Sequence, residues 1–162
     1  RPRQDAADED VAQVDRLHVI AGEIDVEVEN VVRQVRPHND VRENLEVARQ
    51  PPRGAEPPWT EERLFALFPA LAPLRDRRGA RMSGGEQQML AIARTLAGNP
   101  SAILLDEPSE GLAPLVVAQV AEAIGEIKRT GVAVLLAEQS RHFTDRVADR
   151  ACLLEKGVIK EV

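Results

Sequence analysis

Between Val41 and Leu154 the apolar residues fall into alternating helical and strand-like runs, and that alternation predicts most of the architecture. Val41, Leu45 and Ala48 recur at helical spacing behind Asn39 or Asp40, either of which can cap a helix ending near Gln50. Pro51-Pro52-Arg53-Gly54 and Pro57-Pro58 then read as a loop. Thr60 caps a second helix, with Glu61 and Glu62 favoured in its first turn by the helix dipole, Leu64, Leu67 and Phe68 apolar, and Trp59 placed to staple its start. From Ser83 a longer helix shows Met89, Ala93, Leu96 and Ala97 on one face and stops at Gly98-Asn99-Pro100. Ala102 to Leu105 is wholly apolar and reads as a buried parallel strand. Pro114 sits at a favoured first helical position, and Val116, Val120, Ala123, Ile124 and Ile127 trace one apolar stripe as far as Arg129, with Gly131 ending the helix. Val132 to Leu136 is a second buried strand. Strand, helix and strand in that order make a βαβ unit, and hence a parallel sheet. Ser140 caps a short helix through Ala148, Arg150 to Leu154 forms a further strand, and Lys156-Gly157 turns into Val158 to Val162.

The first forty residues look different. From Asp5 to Glu29 there are nine acidic residues against one base, Arg16, a run that is expected to be solvated or disordered, although Leu17 to Val28 alternates loosely enough for one or two short strands. Over all 162 residues, 43% hydrophobic and 30% charged content is ordinary for a globular protein, and 2% aromatic content makes the core aliphatic. A net charge of −6 argues against nucleic acid as a partner, since phosphate backbones require a basic face. No apolar run approaches the ~20 residues of a membrane-spanning helix, and no signal peptide is visible. Cys152 is the single cysteine, which forbids an internal disulfide and fits a reducing compartment; within Ala151-Cys152-Leu153-Leu154 it reads as core packing. The chain starts at Arg1 rather than Met, as a fragment would.

Two stretches carry candidate chemistry. Ser83 and Glu86 form a capping box in Met82-Ser83-Gly84-Gly85-Glu86, and the two glycines let an anion approach the first-turn N–H groups. Some twenty residues later the apolar run delivers Asp106 and Glu107 to a strand's C-terminal end, where open α/β sheets place their ligand crevices. Asp106 suits Mg²⁺, which takes hard oxygen ligands and keeps several waters, and Glu107 suits orienting or deprotonating an attacking water. Alone, the first stretch is also an ordinary helix cap and the second an ordinary turn; their order and spacing make the pair specific. Arg75, Arg77, Arg78 and Arg81 could attract phosphate, but read better as a solvated basic face, and His142 reads as a surface helical residue.

Met82-Ser83-Gly84-Gly85-Glu86 resembles the signature motif of ABC-type ATPases, and Ile103-Leu104-Leu105-Asp106-Glu107 resembles their Walker B motif. Ser109-Glu110-Gly111-Leu112 falls where the D-loop follows, and Ala137-Glu138-Gln139 at the switch segment, with Gln139 where most members carry His. Leu64 to Glu155 is similar to the ATP-binding subunits of branched-chain amino acid importers, which likewise carry Gly-Leu-Ala-Pro after the D-loop Ser and Glu-Gln at the switch. Ala21-Gly22-Glu23-Ile24 faintly resembles a Ser-Gly-Glu-Ile segment of the family. Gln34 stands where members carry a Gln that reaches the Mg²⁺, and Val41 to Leu45 also resembles them, although the spacing between the two is about three residues short.

The resemblance implies an α/β fold: an incomplete ABC-ATPase core, with a RecA-like parallel sheet, and an inserted helical subdomain. Residues 1–36 would be a degenerate N-terminal segment, 37–98 the helical subdomain with the signature, and 99–162 the C-terminal part of the core. It implies ATP and Mg²⁺ as cofactors, with Asp106 and Gln34 toward the metal. Ser83, Gly84, Gly85, Glu86, Ser109 and Gln34 would face nucleotide, and Glu107 and Gln139 would be catalytic. It also implies head-to-tail pairing with a second ATP-binding subunit, transmembrane permease subunits as partners, and a place on the inner face of the cell membrane. One part is missing: none of the ten glycines and three lysines forms Gly-x-x-x-x-Gly-Lys-Ser/Thr. Each preorganised donor to a transferring phosphate is worth roughly 3 kcal/mol, against about 8 kcal/mol for micromolar affinity, so these residues alone should not bind ATP usefully. Two readings follow: a subunit that lends its signature to a partner's nucleotide, or a truncated, degenerate or frame-shifted half-domain without activity of its own. A repair-type ABC ATPase fits less well, since those carry long insertions that 162 residues cannot hold and this sequence is acidic.

Overall fold

The computed structural model describes residues 34–52, 57–155 and 158–161. The acidic run, the strands expected over Leu17 to Val28 and the Ala21–Ile24 resemblance lie outside them, as do Arg53, Gly54 and the Lys156-Gly157 turn.

Helix α1 (Val41–Ala48) starts at Asp40, whose carboxylate accepts the Glu43 N–H at 2.8 Å while the Glu43 carboxylate accepts the Asp40 N–H at 2.9 Å. It stops two residues before Gln50 because Arg49 turns out of the helix ahead of Pro51. Helix α2 (Glu61–Leu67) is capped by Thr60, whose hydroxyl accepts the Arg63 N–H at 3.3 Å. Trp59 does more than staple it: the ring is buried, the Arg63 guanidinium lies 4.4 Å above it, and the Trp59 backbone N–H donates to the Asn99 side-chain oxygen at 2.7 Å, tying the start of α2 to the end of α3. Two short 3-10 turns, Pro69–Leu74 and Gly79–Arg81, lead to helix α3 (Gly84–Ala97).

The expectation of one apolar face on α3 is too modest. Every residue from Met89 to Ala97 is buried, because α1, α2 and the Pro69–Leu74 turn pack around it. Such a surrounded helix can contain polar groups only if they are bonded. The Thr95 hydroxyl donates to the Ala91 carbonyl at 2.9 Å, and the Arg94 guanidinium donates to the Gln34 carbonyl. At its end the left-handed residue is Asn99 (φ 50°), not Gly98.

Strands β1 (Ala102–Asp106) and β2 (Ala133–Ala137) pair in parallel, Ala102 opposite Ala133 and Asp106 opposite Ala137, joined by helix α4 (Pro114–Arg129). Neither strand is wholly buried, as their apolar sequences had suggested. In β1 Ile103 and Leu105 are buried while Ala102 and Leu104 are half-buried, and in β2 Val134 to Leu136 are half-buried. That alternation belongs to a sheet covered more fully on one face. Helix α5 (Arg141–Val147) is capped by Ser140 and packs on α4 through Phe143 and Val147. Strands β3 (Cys152–Glu155) and β4 (Val158–Glu161) form an antiparallel hairpin of their own. Cys152 is therefore exposed, not core packing, because β3 pairs with β4 instead of extending the β1–β2 sheet.

Asn44 organises the approach to α1. Fully buried, it accepts the Arg36 N–H at 2.8 Å and donates to the carbonyls of Arg36, Asn39 and Asp40 at 2.8–3.2 Å. Asn44→Ala leaves those groups short of a partner and should lower the unfolding free energy by about 2 kcal/mol, read from urea denaturation.

Candidate functional site

The ends of β1 and β2 gather most of the candidate residues. Asp106 closes β1 with an exposed side chain. The Glu107 N–H still donates to the Ala137 carbonyl at 2.8 Å, so the ladder runs one residue past the strand before the chain turns. Glu107 makes that turn with φ 44°, a left-handed conformation that costs a non-glycine residue roughly 1–3 kcal/mol. Across the sheet, the Gln139 side-chain amide donates to the Glu107 carboxylate. Between them lies Glu138. One of its oxygens accepts the Ser109 hydroxyl at 2.7 Å and the Ser109 N–H at 3.3 Å, and the other accepts the Ser140 N–H at 2.9 Å. Asp106, Glu107, Ser109 and Gln139 thus share one end of the sheet.

This end is crowded with negative charge. A hydrogen bond with Glu107 and then the Glu107 charge, helped by Glu138 and Asp106, hold the Glu110 carboxyl above the ordinary carboxylate range. Among the described residues, no three His, Cys, Asp or Glu side chains are arranged to hold a metal ion by themselves. An exposed Asp106 beside carboxylates that already have donors fits Mg²⁺ in its usual mode, in which one or two carboxylates share the ion with water and substrate phosphates.

The second cluster is the N-terminus of α3. Ser83 and Glu86 close the expected capping box, with the Ser83 N–H on the Glu86 carboxylate at 2.7 Å and the Glu86 N–H on the Ser83 hydroxyl at 3.3 Å. The two glycines have different physical reasons. A side chain on Gly84 would meet nothing within 4 Å, and the residue is exposed. A Cβ on Gly85 would come within 2.8 Å of Val116, so Gly85 is needed for the close approach of α3 to α4. The Gln34 side chain is exposed, and its backbone carbonyl accepts the Arg94 guanidinium from the body of α3.

Arg75, Arg77, Arg78 and Arg81 are all exposed, and the last three line an open depression of about 590 Å³ with Pro73 and Asp76; His142 is exposed on α5. Sequence reasoning missed Glu138 and Glu110. A signal for Glu138 existed: it follows an apolar strand run, as Asp106 does.

A parallel βαβ pair with acidic strand ends, beside a glycine-opened helix N-terminus, is the arrangement of an α/β nucleotide-binding cassette. The chain belongs to the ABC transporter family, whose model matches residues 4–110. It is similar to the high-affinity branched-chain amino acid transport ATP-binding protein BraG of Pseudomonas aeruginosa, with 48% identity over 98 residues, 60% of this chain and 42% of that protein. It is also similar to the arginine transport ATP-binding protein ArtP of Haemophilus influenzae, with 34% identity over 128 residues, 78% of this chain and 53% of that one. The lipopolysaccharide export system ATP-binding protein LptB of Escherichia coli matches at 39% over 84 residues, 52% of this chain and 35% of that one. The chain spans about half the length, or less, of these relatives. Among solved structures, a nucleotide-free ATP-binding cassette from an ABC transporter superimposes with a TM-score of 0.66 at 25% identity, covering 80% of this chain and 58% of that one. The ADP conformation of MJ1267, an ATP-binding cassette of an ABC transporter, gives 0.61 at 26%, covering 80% and 59%. The fold is that of the ABC ATPase cassette.

Two outcomes follow from this geometry. Gly85→Ala should cost about 1–3 kcal/mol against Val116, whereas Gly84→Ala should be neutral or slightly stabilising, both by chemical denaturation. Glu110 binds its proton more tightly when folded than unfolded, so its contribution to stability is full in acid and is lost as pH rises through the raised pKa. Glu110→Gln should therefore raise the melting temperature at neutral pH and leave it unchanged below the carboxylate range.

Proposed function

We propose that this chain is an ATP-binding subunit of an ABC importer for branched-chain amino acids, and that Ser83, Gly84 and Gly85 serve, in trans, a nucleotide held by a second ATP-binding subunit. The observation that carries this reading is the N-terminus of α3: Ser83 and Gly84 are exposed, the helix opens on two glycines, and nothing lies within 4 Å of where a Gly84 side chain would be. Such a terminus attracts phosphate. The 162 residues contain no phosphate-binding loop of their own, so the phosphates are cradled elsewhere. The choice of solute rests on the 48% identity to BraG; other relatives are named for arginine, glutamate and lipopolysaccharide.

Within this reading Asp106, Gln34 and Glu107 would act in cis, not on the partner's nucleotide, beside a phosphate-binding loop that these 162 residues do not contain; where such a loop is supplied, Asp106 and Gln34 would hold Mg²⁺, which would offset the charge that develops on the phosphates. Glu107 orients the attacking water and takes its proton, and Gln139 holds the Glu107 carboxylate by the hydrogen bond described above. Ser109 belongs to the segment facing the partner subunit, and Glu86 keeps the α3 terminus formed. No helix among the described residues is long and apolar enough to cross a membrane. Attachment to the inner face of the cell membrane would therefore come through permease subunits.

The test pairs the chain with an ATP-binding subunit that carries a phosphate-binding loop. The chain alone should show no binding of fluorescent ATP with Mg²⁺ into the millimolar range. The pair should hydrolyse ATP, and Gly84→Asp in this chain should reduce that rate about 10²–10³-fold, since it places a carboxylate where phosphate is received. A pair unaffected by Gly84→Asp overturns the reading and favours the alternative, a half-domain without catalytic function.

A further inference from the structure

We infer that Glu138 is a positioning residue that locks the turn after β1 to the turn after β2 and thereby holds Gln139 on Glu107; this rests on the roles just proposed for Glu107 and Gln139. The two turns carry different parts of the site. Ser109 lies two residues beyond Glu107, and Ser140 is the cap of α5, one residue beyond Gln139. Glu138 is the group that bonds both. Its Oε2 takes two donors from Ser109, at 2.7 and 3.3 Å, and its Oε1 takes the Ser140 N–H at 2.9 Å.

Hydrogen bonds to an ionised carboxylate are shorter and roughly twice as strong as neutral ones, and a half-buried site strengthens them further. With both oxygens engaged, the Glu138 side chain cannot rotate without breaking one set of bonds. The backbone between Glu138 and Ser140 is consequently pinned on either side of Gln139, which fixes the direction from which its amide reaches Glu107. A displacement of Ser109 then pulls on the same carboxylate that pins Gln139. The turn after β1 and the switch residue move together.

A merely supportive Glu138 would affect the whole domain, so the test is local. Amide hydrogen exchange of the chain as it stands is compared with that of Glu138→Ala and Glu138→Gln, together with the side-chain amide resonance of Gln139, assigned by its loss in Gln139→Ala. In Glu138→Ala, exchange at Ser109 and Ser140 should rise about tenfold while Met89 to Leu96 in α3 stay unchanged, and the Gln139 resonance should move toward that of a free glutamine. Glu138→Gln offers one acceptor oxygen in place of two and should fall between. Unchanged exchange at Ser109 and Ser140, an equal rise throughout α3, or an unmoved Gln139 resonance would each overturn the inference. All of these are read without nucleotide or partner. A pair insensitive to Gly84→Asp therefore faults the trans reading alone, and an unmoved Gln139 resonance faults the clamp alone.

Discussion

Pairing Asp106 opposite Ala137, and then donating the Glu107 N–H to the Ala137 carbonyl, brings four functional candidates to one edge of the molecule. The register is held by side chains far from that edge. Ile103 and Leu105 point into the core, so a slip of one residue would expose both and bury Leu104 in their place. The same slip would carry Glu107 away from Gln139 and Ser109 away from Glu138. The chemistry of the site is thus specified by apolar residues that take no part in it, and by a helix, α4, long enough to return the chain in parallel.

That helix also connects the sheet edge to the second cluster. Its first turn carries Val116, against which Gly85 packs so closely that no side chain fits. The start of α3 is consequently fixed relative to the segment that follows Glu107, although the capping box itself is purely local. Further along, α3 is surrounded on all sides and cannot tilt to adjust. Gly84 alone is left unencumbered, one residue away from a position with no freedom. Adjacent glycines therefore divide two demands, exposure of the backbone and close approach of two helices.

Much of this was legible in the residues. Thr60, Ser83 and Ser140 cap their helices as their hydroxyls suggest, because capping is decided within four residues. The βαβ unit followed from apolar periodicity, and the family from motifs at fixed spacing. What could not be read depends on neighbours distant in sequence. Cys152 lies in an apolar run, yet is exposed because, among the described residues, its strand pairs only into a hairpin. The strands look fully apolar, yet the extent of their cover depends on which layers lie against them. The helical period in α3 implied one buried face, whereas three other elements bury its remaining sides. Gly84 and Gly85 are indistinguishable as letters, and only Val116 separates them. Glu138 carried a visible signal, an acid at a strand's end, but its three donors come from two different turns.

The sheet edge is assembled against its own electrostatics. Glu107 occupies a left-handed conformation, and a hydrogen bond with it, then its charge with those of Glu138 and Asp106, keeps Glu110 protonated to higher pH than a lone carboxyl. Folding alone would be better served by a glycine at Glu107 and a neutral side chain at Glu110. Sites that oppose local stability in this way are characteristic of function, since a strained, charged arrangement persists only where the surrounding structure dictates it. Here the Glu138 bonds and the β1–β2 register supply that restraint. Under the proposed function the repulsion has a use: a hard cation would be drawn to the edge by the charge that destabilises it when empty. The donors to Glu107 and Glu138 meanwhile keep those two carboxylates oriented, leaving the exposed Asp106 as the oxygen donor open to the ion.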